Sequence, residues 1–155
     1  AYHEAGHALV GWFLEHADPV IKVTIVPRGN AALGYAQYLP QELNLHTGAQ
    51  IYDLMCMALG GRAAESIVFN KITTGASDDL QKVSRMAYAQ MINYGMNPTV
   101  GALNFENRND GYFGKPFSES TAQIIDQEVR SMVNRAYERT MELIEDKREL
   151  LNELA

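Results

Sequence analysis

Apolar residues recur at helical spacing in four stretches of the chain and switch once to a β-branched run. This alternation predicts a mainly α fold with one small β element. In "AYHEAGHALVGWFLEH", Leu9, Val10, Phe13 and Leu14 form an apolar stripe at helical spacing, and Asp18-Pro19 supplies a stop. The next stretch, "VIKVTIVPRGNAALGYAQYLP", places Val20, Ile21, Val23, Ile25 and Val26 before the turn material "PRGN", which predicts a β-hairpin or small sheet. Thr47 and Gln50 make a capping-box pair, so a second helix begins there and carries Ile51, Leu54, Met55 and Leu59. Gly60-Gly61 interrupts that pattern, but Ala63, Ala64, Ile67 and Val68 resume it, so the helix continues through a closely packed glycine pair.

Thr73 to Ser77 reads as a polar loop, with Ser77 or Asp78 as the N-cap of a third helix. Leu80, Val83, Ala87, Met91 and Tyr94 mark its apolar face, and Gly95 ends it. From Asn97 to Pro116 the chain is rich in Gly, Asn and Pro and reads as irregular. A long helix then runs from about Ser118, with Ile125, Val129, Met132, Val133, Ala136, Leu143 and Ile144 on one side and a solvated charged face on the other. Met86, Met91, Met96, Met132 and Met141 read as core or interface filler. His16 and His46 lack ligand-spaced partners and read as surface or hydrogen-bonded residues. There is no internal repeat and no linker that would justify a second domain, so residues 1–155 are expected to form one unit.

Composition narrows the function classes. At 155 residues and 46% hydrophobic, the chain is large enough to bury a real core. Its 13 Lys+Arg against 19 Asp+Glu leave a net charge of −6 without a basic run, which removes electrostatic support for nucleic-acid binding. The one cysteine, Cys56, lies in the apolar "LMCMALGG", as expected of a buried thiol in a reducing compartment. No run of about 18 apolar residues occurs, so no membrane span is expected within the chain. The first residues already lie inside the motif-bearing helix, so the chain is expected to be a piece of a longer protein whose targeting or anchoring segment lies upstream.

The chemistry begins with His3-Glu4-x-x-His7. Four positions is slightly more than one helical turn, so His3 and His7 project from one face, shared with Val10 and Leu14, and can converge on one metal ion. Neutral imidazoles suit zinc, a catalytic zinc needs three protein ligands plus water, and a carboxylate beside the metal can take the water's proton. Glu4 is the candidate for that general base, and H-E-x-x-H on a helix is a metalloprotease signature. Two core histidines with hydrogen-bond partners of their own would give the same spacing, so the third ligand matters.

Two acidic positions compete for it. Glu65, in "GGRAAES", is one, and it could instead hydrogen-bond a zinc-bound histidine. The other lies in Asp78-Asp79. Asp78 shares a helical face with Lys82 and Arg85, whereas Asp79 shares one with Val83 and Met86, so Asp79 is the inward carboxylate. An inward carboxylate at a helix start needs a partner, which a metal or the helix's own amides would supply.

The segments "HEAGHALVGW", "KVTIVPRGNAALGYAQYLP", "MCMALGGRAAE", "TTGASDDLQKV" and "YGM", in this order, resemble the peptidase domain of the FtsH-type membrane-anchored AAA metalloproteases. "GWFLEHADP" and "LGYAQYLP" further resemble the mitochondrial matrix-facing, paraplegin-like branch. The resemblance implies one zinc ion held by His3, His7 and Asp79, with Glu4 as general base. It implies a largely helical peptidase domain, assembled as a homo- or hetero-hexamer. The ring would receive unfolded polypeptide from an upstream ATPase module, which alone would use ATP, at the matrix side of the mitochondrial inner membrane. One departure exists: the family often carries a second acid after the position of Glu65, where this chain has Ser66.

The expected fold is therefore a mainly α metallopeptidase domain, with a small hairpin after the HExxH helix and a long C-terminal helix. The expected function is a zinc endopeptidase of low sequence specificity; "GYAQY" reads either as an edge that takes substrate as an extended strand or as part of an ordinary hairpin packed on the helices. Serine or cysteine chemistry has little support, since no G-x-S-x-G elbow occurs and Cys56 lies in an apolar run. The competing class is a catalytically silent module that keeps the fold and its oligomer contacts.

Overall fold

The computed structural model describes residues 1–26, 34–39, 45–105 and 115–155. Helix α1 spans Tyr2–Phe13, strand β1 Val20–Thr24 and strand β2 Tyr35–Tyr38. Helix α2 follows over Gly48–Phe69, then a 3-10 turn at Thr74–Ala76, α3 at Ser77–Ile92, α4 at Glu119–Asp146 and α5 at Arg148–Leu154. Among the described residues the fold is mainly α, with one two-stranded antiparallel sheet, as expected. The turn "PRGN" lies outside the described residues, as do residues 106–114 of the irregular stretch before α4.

Helix α2 is the centre of the packing, touching α1, α3 and α4. Its start is the capping box read from the sequence: Gln50 N–H donates to Thr47 Oγ1 at 3.2 Å and Thr47 N–H to Gln50 Oε1 at 2.7 Å. The helix runs unbroken through Gly60-Gly61, and the glycines explain how α1 reaches it. A Cβ on Gly6 would collide with the Gly60 carbonyl oxygen, so side chains at this crossing would force the two helices apart. Leu9, Val10, Met55, Leu59, Val83, Met91, Ile125 and Ile144 are buried together in one core around this crossing.

Four features differ from the sequence expectation. Phe13 is 41% exposed, and the Lys147 ammonium sits 5.3 Å from its ring centroid. Helix α3 ends at Ile92, and Gly95 takes φ +58 to turn the chain, so Tyr94 falls past the helix and is exposed. Met96 is exposed for the same reason, whereas Met91 is core. The long helix breaks at Lys147 (φ −108, ψ 25), and α5 folds its buried Leu151 against α1. Among the described residues no helix is long and apolar enough to cross a membrane.

Candidate metal centre

Helix α1 supplies two donor atoms and the first turn of α3 the third. His3 Nε2 and His7 Nε2 lie 3.1 Å apart. Asp79 Oδ2 is 3.2 Å from the first and 3.1 Å from the second. Among the described residues, these three form the group of His, Cys, Asp or Glu side chains that could hold a metal ion. A tetrahedron with metal–ligand bonds of about 2.0–2.1 Å has edges of about 3.3 Å, close to all three separations. The donor set, two imidazoles and a carboxylate, also suits zinc.

The partners on the far sides of the rings sharpen this fit. His3 Nδ1 faces Glu65 Oε1 at 3.0 Å, and His7 Nδ1 faces the Met57 carbonyl oxygen at 2.8 Å. Carboxylate and carbonyl oxygens only accept, so both Nδ1 atoms carry the proton and donate it. In the neutral rings both Nε2 lone pairs then point at Asp79 Oδ2, and three lone pairs meet with no hydrogen between them. Such a cluster requires a positive species, either a proton or a cation.

Without metal the cluster favours a proton in that place. The hydrogen bond to Asp79 raises the His3 pKa above its ordinary value; burial opposes this, while the charges of Glu65, Asp79 and Glu4 add to it. Burial alone would raise the Asp79 carboxyl, but hydrogen bonds from His3 and His7, with the charges of His7 and Lys82, hold it well below the usual carboxylate range. Both shifts describe one arrangement, an imidazolium beside a carboxylate.

The local sequence explains how these groups are held. The cap at the start of this segment is Thr73, whose Oγ1 accepts from Gly75 N–H at 3.2 Å on the 3-10 turn; neither Ser77 nor Asp78 caps α3, whose N-cap is Ala76 with no side-chain bond. Asp79 therefore stands inside the first turn with its carboxylate turned to the histidines. Lys82 pairs with Asp79 Oδ1 at 3.6 Å, not with Asp78, so the two oxygens of Asp79 face different partners. Asp78 is exposed, as its helical position predicted. Glu65 is 8% exposed and ties the pieces together, accepting from His3 Nδ1–H, from Thr73 N–H at 3.1 Å and from Thr73 Oγ1–H at 3.1 Å. Its place is behind His3, not among the converging atoms.

The three donors open into a cleft of about 960 Å³ that is also lined by Glu4, by Gly34, Tyr35, Ala36 and Tyr38 of the hairpin, and by apolar Leu54, Met57 and Met86. A Cβ on Gly34 would lie 3.1 Å from Glu4 Cγ, so the hairpin passes directly over this carboxylate. Among the described residues β2 pairs only with β1, through Val23↔Ala36 and Thr24↔Tyr35, which leaves its other edge unpaired. Tyr38 was not singled out from the sequence. Burial raises its phenol well above the ordinary value, and the charges of Glu4 and Asp79 add to the shift, so it stays a neutral donor. His46 is exposed, and His16 is half-buried beside Glu15 while its backbone N–H donates to Asp53 at 3.2 Å.

Comparison with known proteins places the chain in a family. The description of peptidase family M41 matches residues 1–155. The chain belongs to peptidase family M41. This M41 chain is 58% identical over 156 residues to the ATP-dependent zinc metalloprotease FTSH 3, mitochondrial, of Arabidopsis thaliana, covering all of the chain and 19% of that relative. It is 58% identical over 151 residues to the mitochondrial inner membrane m-AAA protease component AFG3L1 of Mus musculus, covering 96% of the chain and 19% of the relative. It is 54% identical over 159 residues to the ATP-dependent zinc metalloprotease FtsH of Rhodothermus marinus, covering all of the chain and 23% of the relative. The M41 chain thus spans about a fifth of the length of these relatives. The resemblance read from the motifs and the family agree.

Proposed function

We propose that this chain is the peptidase unit of an ATP-dependent zinc metalloprotease, hydrolysing peptide bonds at His3, Glu4, His7 and Asp79. The observation that carries the reading is the convergence of three donor atoms within 3.2 Å of one another, in a cleft that also holds Glu4. His3, His7 and Asp79 would hold the zinc, and Glu65 would keep His3 in the tautomer that leaves Nε2 free. Zinc, when bound, supplies Lewis acidity toward water and toward the scissile carbonyl.

The chain's own residues supply the rest. Glu4 takes a proton from the attacking water and returns it to the leaving amine, a role open to a carboxylate that is not itself a ligand. The unpaired edge of β2 receives the substrate as an added strand, so affinity comes from backbone hydrogen bonds and tolerates many side-chain sequences. The hairpin's passage over Glu4 brings such a strand to the general base. Unfolded polypeptide is the substrate class that can present an extended backbone.

The names of the relatives, together with the motif resemblance, extend the reading to the whole protein. We infer an upstream AAA module that delivers substrate with ATP, a hexamer of identical or related subunits, and a place at the mitochondrial inner membrane facing the matrix. The test is Glu4→Gln beside wild type in the full-length protein, with zinc content and cleavage of a fluorogenic unfolded protein measured with and without chelator. The expected result is one zinc per chain in both and cleavage only in wild type. Appreciable cleavage by Glu4→Gln would remove Glu4 from its role, and wild type without zinc would favour the silent assembly module.

A further inference from the structure

Gly60 and Gly61 are adjacent, yet they meet different neighbours. A Cβ on Gly60 would lie 2.6 Å from the Gly6 carbonyl oxygen and 3.0 Å from His7 N, both backbone atoms of α1. A Cβ on Gly61 would meet only the His3 ring among its nearest atoms, at 2.5 Å from Cε1 and 2.6 Å from both Nδ1 and Nε2. A point nearly equidistant from three consecutive ring atoms lies over the face of the ring, not beyond its edge. The imidazole of His3 therefore rests flat on the bare Cα of Gly61.

We propose that Gly61 is a positioning residue of the metal centre, a notch in α2 that seats the His3 imidazole so that Nε2 joins His7 and Asp79. Carbon atoms in contact sit about 3.5–4.0 Å apart, so a methyl at position 61 would displace the ring by about 1 Å. Metal–nitrogen distances tolerate about 0.2 Å. Lifting α1 off α2 to absorb the shift would open the Gly6–Gly60 contact and the core of Leu9, Val10, Met55 and Leu59 packed around it. The ring must move instead. It would leave Glu65 Oε1, now at 3.0 Å, and the two donors at 3.1 and 3.2 Å. This role rests on the zinc reading above, but the notch itself exists with or without metal.

Two measurements separate the notch from that reading. The first is a double-mutant cycle in chelator, with thermal unfolding of wild type, Gly61→Ala, His3→Ala and the double variant. Gly61→Ala is expected to lower Tm in the His3 background and to leave it unchanged or raise it in the His3→Ala background, where the obstructing ring is gone and alanine is the better helix former. Equal destabilisation in both backgrounds would overturn the proposal. The second is Co2+ titration of wild type and Gly61→Ala, following the d–d absorption. The variant is expected to bind at least tenfold more weakly, with a weaker, higher-coordinate band. Wild-type affinity and spectrum in Gly61→Ala would overturn the positioning role even if the cycle shows coupling. Should Gly61→Ala fail to fold, Gly61→Ser in the His3→Ala background must still fold, and its failure would also count against the proposal. Absence of Co2+ binding by wild type would overturn the zinc reading and this role with it.

Discussion

Glu65→Gln is a demanding test of the metal centre, because it changes hydrogen-bond chemistry while keeping shape. Glu65 presents Oε1 to His3 and Oε2 to Thr73, so both oxygens act as acceptors. Glutamine has one acceptor oxygen and one NH2, and must place the NH2 against one of these donors. If it faces His3, the imidazole moves its proton to Nε2 and loses the lone pair aimed at the metal. If it faces Thr73, two N–H groups oppose each other at a buried site and the loop ahead of Asp79 loosens. Either way one hydrogen bond to a charged group is lost, worth about 1.5–3 kcal/mol. If all of it appears in metal binding, zinc affinity falls about 10- to 150-fold, which overlaps the range found when groups behind metal-bound histidines are removed. The assay is zinc competition against a calibrated chelator at pH 7.5, with circular dichroism as the folding check and Asp78→Ala as a control expected to stay within twofold. A folded Glu65→Gln with wild-type zinc affinity would refute the reasoning.

Three further outcomes follow from other parts of the structure. In chelator, the raised His3 contributes stability that is fully present below its unfolded pKa of 6.5 and is lost as pH rises through the folded value; the depressed Asp79 contributes stability present above 3.8 and lost as pH falls through its folded value. Denaturant titrations of metal-free chain should therefore weaken above about pH 6.5, while added zinc, which competes with the His3 proton, should stabilise more as pH rises; parallel slopes with and without zinc would contradict this. Asp53→Ala removes a buried carboxylate that accepts from Arg139 Nη1 at 2.8 Å and from His16 N–H. Because the Arg139 side chain is 46% exposed and can rehydrate, the expected cost is about 1–2 kcal/mol, or about 2–8 °C in Tm by calorimetry, with zinc content unchanged. Ala36→Pro removes a backbone donor in β2 and should reduce peptide cleavage at least tenfold with zinc retained; loss of zinc from a folded variant would argue against the strand-addition mode.

Local signals carried much of this fold into the sequence. The His3–His7 spacing, the Thr47–Gln50 capping box and the inward face of Asp79 each depend on residues within one or two helical turns, and each appears where the pattern put it. Features that residue type and spacing alone do not decide were hidden. Ser77 and Asp78 are good caps by type, but the 3-10 turn capped by Thr73 arrives first and shifts the start of α3. Lys82 stands three residues from Asp79 and four from Asp78, and only the tertiary position of the carboxylate decides between them. Asp53 and Arg139 are separated by 86 positions, and nothing local to either announces the pair. The roles of Gly60 and Gly61 were legible as close packing, but not as two separate contacts. Charge patterning could not reveal the break at Lys147, which lies within a continuous run of good helix formers.

The packing of α5 on α1 sets an order of events during synthesis. Tyr2 O–H donates to Asn152 Oδ1 at 3.1 Å, a contact between residues 150 positions apart, and Leu151 is sealed in the core beside the helix that carries His3, Glu4 and His7. At about 5–20 residues per second, a ribosome needs about 8–30 s to make the intervening chain. During that interval α1 lacks one of its packing partners, and Asp79 reaches it halfway through. The helix that carries His3, Glu4 and His7 is thus packed in full only after the roughly 150 residues that separate it from α5 have been made.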